Sequence, residues 1–317
     1  MMGVSLTASI LLDNPVVNLS AIIRGMRPFR IGLIFILLLL AGCGPSASIS
    51  GSTTGASAYI QNKGSDTLVN LALAWAEKYQ AENPGVSISV TGGGSGTGIA
   101  ALINKTVDIA NASRQMQSGE IDQAKARGFT PVEFIVARDA IAVIVNPANP
   151  VSRLTLQQIS DIYSGKYNNW SQVGGENRPI VRLSREVNSG THVYFRDTVI
   201  RLGQKDNKTL FSTDTLLLPS SEGIVSELRQ NPNAIGYDGL GYVPKDLKVI
   251  AVAKDANSPY VLPSAVTANN KTYPIARDLY MYTAGEPSGA IKTYLDWIKS
   301  AEAQGIVAEL GFVPIQK

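Results

Sequence analysis

The residues that most clearly suggest chemistry form a glycine-rich loop at positions 91–102, between a strand-like segment and a run of helix-spaced apolar residues. Glycine tolerates positive φ angles and lets a ligand approach the backbone closely. Ser95 could cap the helix, while other N–H groups of its first turn stay free and, with the positive end of the helix dipole, form an anion site. The loop therefore indicates either an anion site, with Gly94 and Ser95 as candidate ligands, or a turn that only reverses the chain.

Two nucleotide-binding motifs share part of this loop. Residues 96–101 fit the dinucleotide pattern G-x-G-x-x-A, but the strand-like run at 107–112 begins too soon and no acidic residue ends it to bind a ribose. A P-loop requires Gly-Lys followed by Ser or Thr, whereas Gly98 is followed by Ile99. Neither motif is favoured.

A second candidate anion loop combines Arg185 with Ser189, Gly190 and Thr191. A guanidinium offers a planar fork of donors suited to oxyanions, and the hydroxyls with the Gly190 N–H could complete a cradle at a helix start. Alone, Arg185 would more simply form a surface ion pair, for example with Glu186. Its occurrence together with the glycine loop favours binding.

The elements that must position these loops alternate between strands and helices. Strands are predicted at 59–63, 86–90, 107–112, 132–136, 141–145, 180–183, 234–237 and near 273–283. Helices are predicted at 68–79, 99–104, 120–127, 155–163, 192–202, 221–229 and 290–302, with an irregular segment at 205–218. This alternation predicts α/β layers with a mostly parallel sheet, whose ligands bind beyond the carboxyl ends of the strands.

Two further polar turns follow predicted strands in the first half of the chain. One offers Ser65, Asp66 and Thr67, and the other offers Ser113 and Arg114. Each turn could be an ordinary helix cap, the commonest use of Ser, Thr and Asp at such positions. Their location at corresponding strand ends also makes them candidate ligands.

Catalytic and metal-binding clusters are not evident in the sequence. His192 is the sole histidine and Cys43 the sole cysteine, so neither cysteine catalysis nor a zinc site is supported, and no cofactor is expected. The net charge is only +3 and no basic cluster suggests nucleic acid. We therefore expect a protein that is not an enzyme, with a phosphatase as the enzyme alternative.

The beginning of the chain has the features of an export signal. A basic segment at 26–30 precedes ten consecutive apolar residues at 31–40, too few for a spanning helix, which needs about 20 residues. We expect residues 1–42 to be a signal peptide, with translation starting at Met26.

Cys43 ends the sequence Leu-Ala-Gly-Cys, which resembles a bacterial lipobox. The resemblance implies that Cys43 is lipidated and becomes the mature N-terminus. The segment 43–58 is rich in Ser, Gly, Thr and Ala, a composition typical of flexible linkers. It would connect the lipid to the folded part of an exported protein held on a bacterial membrane.

Six short motifs occur in the order found in one known family. They are Gly64-Ser-Asp-Thr67, residues 92–98, Asp108-Ile-Ala-Asn-Ala-Ser-Arg114, residues 156–170 with Val173-Gly-Gly175, residues 185–191, and Ala234-Ile-Gly-Tyr237. From about Ile60 to Pro314, the chain resembles the periplasmic phosphate-binding proteins (PstS) of phosphate ABC transporters.

This resemblance implies an α/β, two-lobed periplasmic-binding-protein fold of type II. Each lobe would be a mostly parallel sheet flanked by helices, with phosphate bound between the lobes and crossing strands as the hinge. Lobe I is expected at 59–137 plus 273–317, and lobe II at 138–272. The implied partners are inorganic phosphate and the permease subunits of the transporter, for a monomer attached to the membrane by its lipid. Another oxyanion, such as sulfate, molybdate or a phosphonate, and a role as a phosphate sensor or scaffold are the alternatives.

The family pattern also implies which residues bind the ligand. They are Ser65, Asp66, Thr67, Gly94, Ser95, Ser113, Arg114, Arg185, Ser189, Gly190 and Thr191. The chain departs from the pattern where an Asp is expected after the third strand, since it has Ala112-Ser113-Arg114 there. Monohydrogen phosphate carries a proton and needs an acceptor, which sulfate does not. We hypothesise that Asp66 supplies this acceptor while Ser113 and Arg114 donate, although Asp66 could be only a helix cap.

Overall fold

The computed structural model describes residues 57–315, which form a mixed α/β fold. Its strands are β1 (Ala58–Gly64), β2 (Val86–Thr91), β3 (Ile109–Ala112), β4 (Val132–Val145), β5 (Arg153–Thr155), β6 (Val181–Arg185), β7 (Leu216–Leu218), β8 (Ala234–Gly239), β9 (Lys248–Ala253) and β10 (Ala276–Thr283). Its α-helices are α1 (Asp66–Glu82), α2 (Ser95–Ile103), α3 (Ser118–Ala126), α4 (Leu156–Tyr163), α5 (Gly190–Phe195), α6 (Ser221–Gln230), α7 (Ala265–Asn269), α8 (Gly289–Ile298) and α9 (Ala301–Glu309). Within this range, no helix combines the length and apolar character needed to cross a membrane.

The first lobe is built on the parallel strands β2, β1 and β3, in that order across the sheet. Helix α1 covers them because Leu68, Leu71, Trp75 and Tyr79 recur at helical spacing and are all buried. Full burial of each large apolar side chain contributes about 1.5–3 kcal/mol. The helix ends at Glu82, just before the Asn83-Pro84 pair, where proline disfavours helical geometry.

The second lobe has a parallel core of β7, β6 and β8, with β5 and β9 forming a second parallel pair. Helix α4 starts at a capping box, in which the Thr155 hydroxyl accepts from the Gln158 N–H and the Gln158 side chain accepts from the Thr155 N–H. Tyr163, at the end of this helix, is fully buried and packs edge-on against Phe195 and Tyr237. The lobe therefore has an aromatic core of its own.

Two long strands connect the lobes. Strand β4 pairs antiparallel with β10 through residues 132–140 and then with β8 through residues 141–145, so it passes from one sheet into the other. Strand β10 also pairs antiparallel with β3 of the first lobe. Among the strands of residues 57–315, every antiparallel ladder involves β4 or β10, so the two lobes are parallel sheets joined by crossing strands.

Several local predictions were wrong. The β-runs at 132–136 and 141–145 are one continuous strand, β4, which pairs with β10 across a register shift between Leu279 and Tyr280 and then with β8. The helix predicted at 290–302 is two helices. The first, α8, ends at Ile298, and Ser300 caps α9 by accepting from the Ala303 N–H. The segment at 205–218 contains β7, and β9 and α7 were not predicted.

The predictions for the signal peptide, the lipidated Cys43 and most of the 43–58 segment lie outside the described residues. The proposed lobe limits at 59–137 with 273–317 and at 138–272 stay predictions. In the structure, β4 changes its pairing partner between Ala140 and Ile141.

Candidate functional site

The turn after β1 is positioned by a glycine that no other residue could replace without strain. Gly64 has a φ of +146°, and a Cβ at this position would lie 2.1 Å from the Asn111 carbonyl oxygen. The close approach lets the Ser65 N–H donate to that same oxygen at 2.9 Å. Helix α1 then begins at Asp66, with Ser65 and Thr67 both buried.

The glycine loop turns with positive φ angles at Gly93 and Gly94, as its composition predicted. Gly94 is the N-cap of α2, so the prediction that Ser95 caps this helix was wrong. Ser95 is instead the first helical residue, and its hydroxyl accepts from the Ser113 N–H at 3.0 Å. The buried Ser95 and Ser113 hydroxyls lie 3.3 Å apart, so the segments that follow β2 and β3 meet here.

The loop of the second lobe packs directly against these two serines. Ser189 caps α5 by accepting from the Thr191 N–H at 3.2 Å, which places Gly190 at the first helical position. A Cβ on Gly190 would lie 2.3 Å from the Ser95 hydroxyl and 2.6 Å from that of Ser113. Only glycine fits between the lobes here.

Further hydrogen bonds join the lobes around this point. The Gly96 N–H donates to the Asn188 carbonyl oxygen at 2.9 Å, and the Asn188 amide donates to the Gly93 carbonyl oxygen at 2.9 Å. The Thr67 and Thr191 hydroxyls, one from each lobe, lie 2.9 Å apart and are buried. The loops at the carboxyl ends of β1, β2, β3 and β6 therefore converge, with the cleft closed over them.

Arg185 reaches across the cleft to the first lobe. Its Nη2 donates to Asp66 Oδ2 at 2.7 Å and its Nη1 donates to the Ser221 hydroxyl at 3.0 Å. Asp66 also accepts from the Gly93 N–H at 2.9 Å through Oδ1. The guanidinium is 1% exposed, so Arg185 is a buried cation and the surface alternative is wrong.

Two buried titratable groups flank Arg185 within the second lobe. Asp238 lies 3.9 Å from its Nη1, and burial raises the pKa of this carboxyl to about 6 although Arg185 opposes the shift. The His192 ring stacks on Phe211, and its Nδ1 lies 2.9 Å from the Arg185 carbonyl oxygen, so Nδ1 carries the proton. Burial lowers the pKa of His192 to about 4, which keeps the ring neutral.

Arg114, a ligand candidate from the resemblance, is paired within its own lobe. Its two terminal nitrogens donate to the Glu120 carboxylate at 2.8 and 2.7 Å, and Nη1 also donates to the Gln115 carbonyl oxygen. Glu120 belongs to the capping box that opens α3, where it accepts from the Gln117 N–H. The guanidinium is thus part of the α3 start within its own lobe.

Sequence reasoning missed a second buried arginine at the site. Arg277, on β10, donates from Nη2 to Asp139 Oδ2 at 2.9 Å and to the Thr191 hydroxyl at 3.0 Å. Its Nη1 donates to the Ser113 carbonyl oxygen at 2.9 Å. A signal was present, because Arg277 lies within the β-run predicted near 273–283 and Asp139 lies between the strands predicted at 132–136 and 141–145.

The arrangement suits a small anion. Buried hydroxyls and helix-start N–H groups meet where the lobes touch, with the Arg277 guanidinium on the Thr67 and Thr191 hydroxyls and the Arg185 guanidinium on the neighbouring Asp66. Such donors bind oxyanions in a water-excluded site. In residues 57–315 no group of three or more His, Cys, Asp or Glu side chains is placed to hold a metal ion.

Comparison with known proteins places the chain in a family. A family model described as a PBP superfamily domain matches residues 51–302. The phosphate-binding protein PstS of Pseudomonas aeruginosa is 30% identical over 293 residues, covering 87% of this chain and 89% of that protein, and PstS of Bacillus subtilis is 31% identical over 287 residues, covering 88% and 90%.

Solved structures agree with this assignment. A phosphate ABC transporter substrate-binding protein from Clostridium perfringens, solved with bound phosphate, aligns with a TM-score of 0.72 at 31% identity, covering 81% of this chain and 100% of that one. An ABC-type phosphate transport receptor from Vibrio cholerae aligns with a TM-score of 0.66 at 28% identity, covering 81% and 100%. The chain therefore belongs to the PstS family of phosphate-binding proteins, within the PBP superfamily.

Proposed function

We propose that the protein captures inorganic phosphate between its lobes and delivers it to the permease of an ABC transporter. The observation that carries the proposal is the convergence of Ser95 and Ser113 of the first lobe on Gly190 of the second. The relatives named as phosphate-binding proteins support the same ligand. The proposed ligand groups are the hydroxyls and N–H groups of Ser65, Thr67, Gly94, Ser95, Ser113, Ser189, Gly190 and Thr191, with the Arg185 guanidinium.

The proposed mechanism is hinge closure on β4 and β10. Phosphate first meets the helix starts of one lobe, and Arg185 then closes over it with the second lobe. Removal of water from the closed cleft strengthens each charge-assisted hydrogen bond. The closed form docks on the permease, which reopens it, and no chemical step on the ligand is required.

Asp66 is our candidate for the acceptor of the phosphate proton. Its carboxylate lies in the cleft and already accepts from Arg185 and Gly93, but each carboxylate oxygen can accept a second hydrogen bond. We expect Asp66→Asn to reduce the preference for phosphate over sulfate about tenfold, equivalent to about 1.4 kcal/mol. Equal preference in the variant and the wild type would refute the assignment.

The test of the proposed function is calorimetric titration of the purified protein with phosphate, sulfate, molybdate and a phosphonate. We expect phosphate to bind most tightly. Tighter binding of another oxyanion would identify that anion, rather than phosphate, as the ligand. Turnover of a chromogenic phosphate ester would indicate a phosphatase.

We further propose that the protein is exported as a lipoprotein and works as a monomer outside the cytoplasm. The basic segment at 26–30, the apolar run at 31–40 and Cys43 support this. In cells expressing the full chain, Cys43→Ala should shift the protein out of the membrane fraction, and the mass of the wild-type N-terminus should include a lipid on Cys43. Equal membrane association of both forms would contradict the anchor.

A further inference from the structure

The two crossing strands carry the same dipeptide, Arg138-Asp139 on β4 and Arg277-Asp278 on β10. Their antiparallel register sets Arg277 opposite Asp139 and Arg138 opposite Asp278. Successive residues of a strand face opposite sides of the sheet. The Arg277–Asp139 pair is 2% and 0% exposed, whereas the Arg138–Asp278 pair is 34% and 29% exposed. One pair is thus buried at the cleft and the other is partly open to solvent.

The Arg277 guanidinium contacts both lobes at the proposed phosphate site. Nη2 lies 3.0 Å from the Thr191 hydroxyl and 3.4 Å from the Thr67 hydroxyl, and Nη1 donates to the Ser113 carbonyl oxygen at 2.9 Å. The two hydroxyls lie 2.9 Å apart, so one donates its proton to the other and the proton of the second can donate onward. An anion oxygen bound by that hydroxyl would lie beside Nη2.

The hydrogen bonds of Nη2 allow such a ligand to take the place of a hydroxyl. One of its two protons is directed at Asp139 Oδ2, 2.9 Å away, and the other at the threonine hydroxyls, with Thr191 at 3.0 Å and Thr67 at 3.4 Å. This second proton could pass to an anion without loss of the ion pair. A guanidinium fork matches the geometry of oxyanions better than that of single hydroxyls.

A purely structural role explains this pair less well. A buried ion pair is weak support for stability, because desolvation of both charges offsets their attraction. The same two strands are already joined by the half-exposed pair of Arg138 and Asp278. Burial of a second pair where both lobes meet at the cleft therefore favours a ligand role.

We propose that Arg277 is an oxyanion ligand at the floor of the cleft and that Asp139 orients its guanidinium. Arg185 and Arg277 then hold phosphate from two sides, one from the end of β6 and one from the hinge. This inference rests on the proposed function, since the anion is the one captured between the lobes.

The experiment compares phosphate affinity in Arg277→Gln, Arg277→Lys and the double variant Arg277→Gln/Asp139→Asn. Arg277→Gln alone leaves Asp139 buried without its cation, so it could weaken the fold. The double variant removes both charges and isolates the ligand role. We expect the dissociation constant for phosphate to rise about 100-fold in the double variant and about tenfold in Arg277→Lys, because a lysine keeps the charge but not the planar fork.

The matched control is Arg138→Gln/Asp278→Asn, which removes the solvent-facing pair from the same two strands. We expect its phosphate affinity to stay within about twofold of the wild type, since exposed ion pairs contribute little. Thermal unfolding without phosphate reports the folding of each variant.

Wild-type affinity in the double variant, or an equal loss in the control, would overturn the ligand role of Arg277 and make the pair a hinge contact. Absence of phosphate binding by the wild type would instead refute the proposed function, so the two failures are distinguishable. If Arg277→Gln and the double variant fail to fold, the phosphate affinity of the folded Arg277→Lys protein decides, and unchanged affinity there also overturns the proposal.

Discussion

The two lobes contribute different kinds of chemical groups to the cleft. Apart from Asp66 and from Arg277 on the crossing strand β10, the first lobe offers neutral donors, chiefly the Ser95 and Ser113 hydroxyls, while Arg114 is bound to Glu120. The second lobe offers the buried cation of Arg185, whose acidic partner, Asp66, belongs to the first lobe. If the cleft closes as proposed, the first lobe receives the anion through its neutral donors, and closure brings the cation of the second lobe, held by Ser221 and Pro219, to Asp66. Asp66 then neutralises Arg185 across the cleft.

The largest effect should come from Arg185→Ala, which removes the cation of the second lobe. We expect the dissociation constant for phosphate to rise about 100-fold or more, or about 3 kcal/mol, because the ligand loses a charge-assisted contact and Asp66 and Asp238 lose theirs. Calorimetry measures the change. Arg229→Ala is the control, since the Arg229–Asp246 pair is exposed and distant in sequence. Unchanged affinity in Arg185→Ala would place this residue outside the ligand set.

The neutral His192 that supports Arg185 should make stability depend on pH. Its pKa is lowered to about 4 by burial, against about 6.5 in the unfolded chain. The folded state then holds fewer protons than the unfolded state between these values, so stability is full above pH 6.5 and is lost as pH falls towards 4, by about 3 kcal/mol at most.

Denaturant unfolding of the wild type and His192→Gln between pH 7.5 and 4 isolates this contribution, because other groups titrate in both. Asp238 works in the opposite direction, since its raised pKa of about 6 adds stability as pH falls through that value. We expect the wild type to lose its advantage over His192→Gln as the pH falls. A constant difference between the two proteins would show that His192 titrates normally.

Gly190→Ala tests whether the two lobes need contact without a side chain between them. The added Cβ would overlap the Ser95 and Ser113 hydroxyls at 2.3 and 2.6 Å, so closure would require a shift that costs about 1–3 kcal/mol. We expect a corresponding loss of phosphate affinity, measured by titration. Gly223→Ala, in α6, is the control because its Cβ would meet its nearest neighbours at 3.5 and 3.7 Å. Equal affinities would mean that the lobes do not approach this closely when phosphate is bound.

Much of the neutral half of the site could be predicted from the sequence, because its signals are local. Glycines followed by Ser or Thr between a strand and a helix indicate free N–H groups wherever they occur. The exact cap was still wrong at Ser95, since the positive φ of Gly94 lets that residue take the N-cap position. The presence of most strands and helices could likewise be predicted from the local spacing of apolar residues.

Arg185 and Asp66 were predicted as site residues, but the ion pairs of the site could not be, because the fold determines which carboxylate each arginine meets. Arg277 and Asp139 are 138 residues apart in the chain, and only the antiparallel register of β4 and β10 brings them together. Arg138 and Asp139 also divided the apolar sequence of β4, which was therefore predicted as two separate strands. Two Arg-Asp dipeptides in neighbouring apolar strands were the available signal, since antiparallel pairing matches each arginine with an aspartate.

The smallest effect on binding should come from Arg114→Gln, which decides whether the first lobe contributes a charge. Both terminal nitrogens of Arg114 are occupied by Glu120, so we expect the dissociation constant for phosphate to change less than about threefold. Stability should still fall by about 2 kcal/mol, because hydrogen bonds to a charged partner are lost at the start of α3. A tenfold loss of affinity, with the fold intact, would instead return Arg114 to the ligand set. The contrast between a neutral lobe and a cationic one would then be wrong.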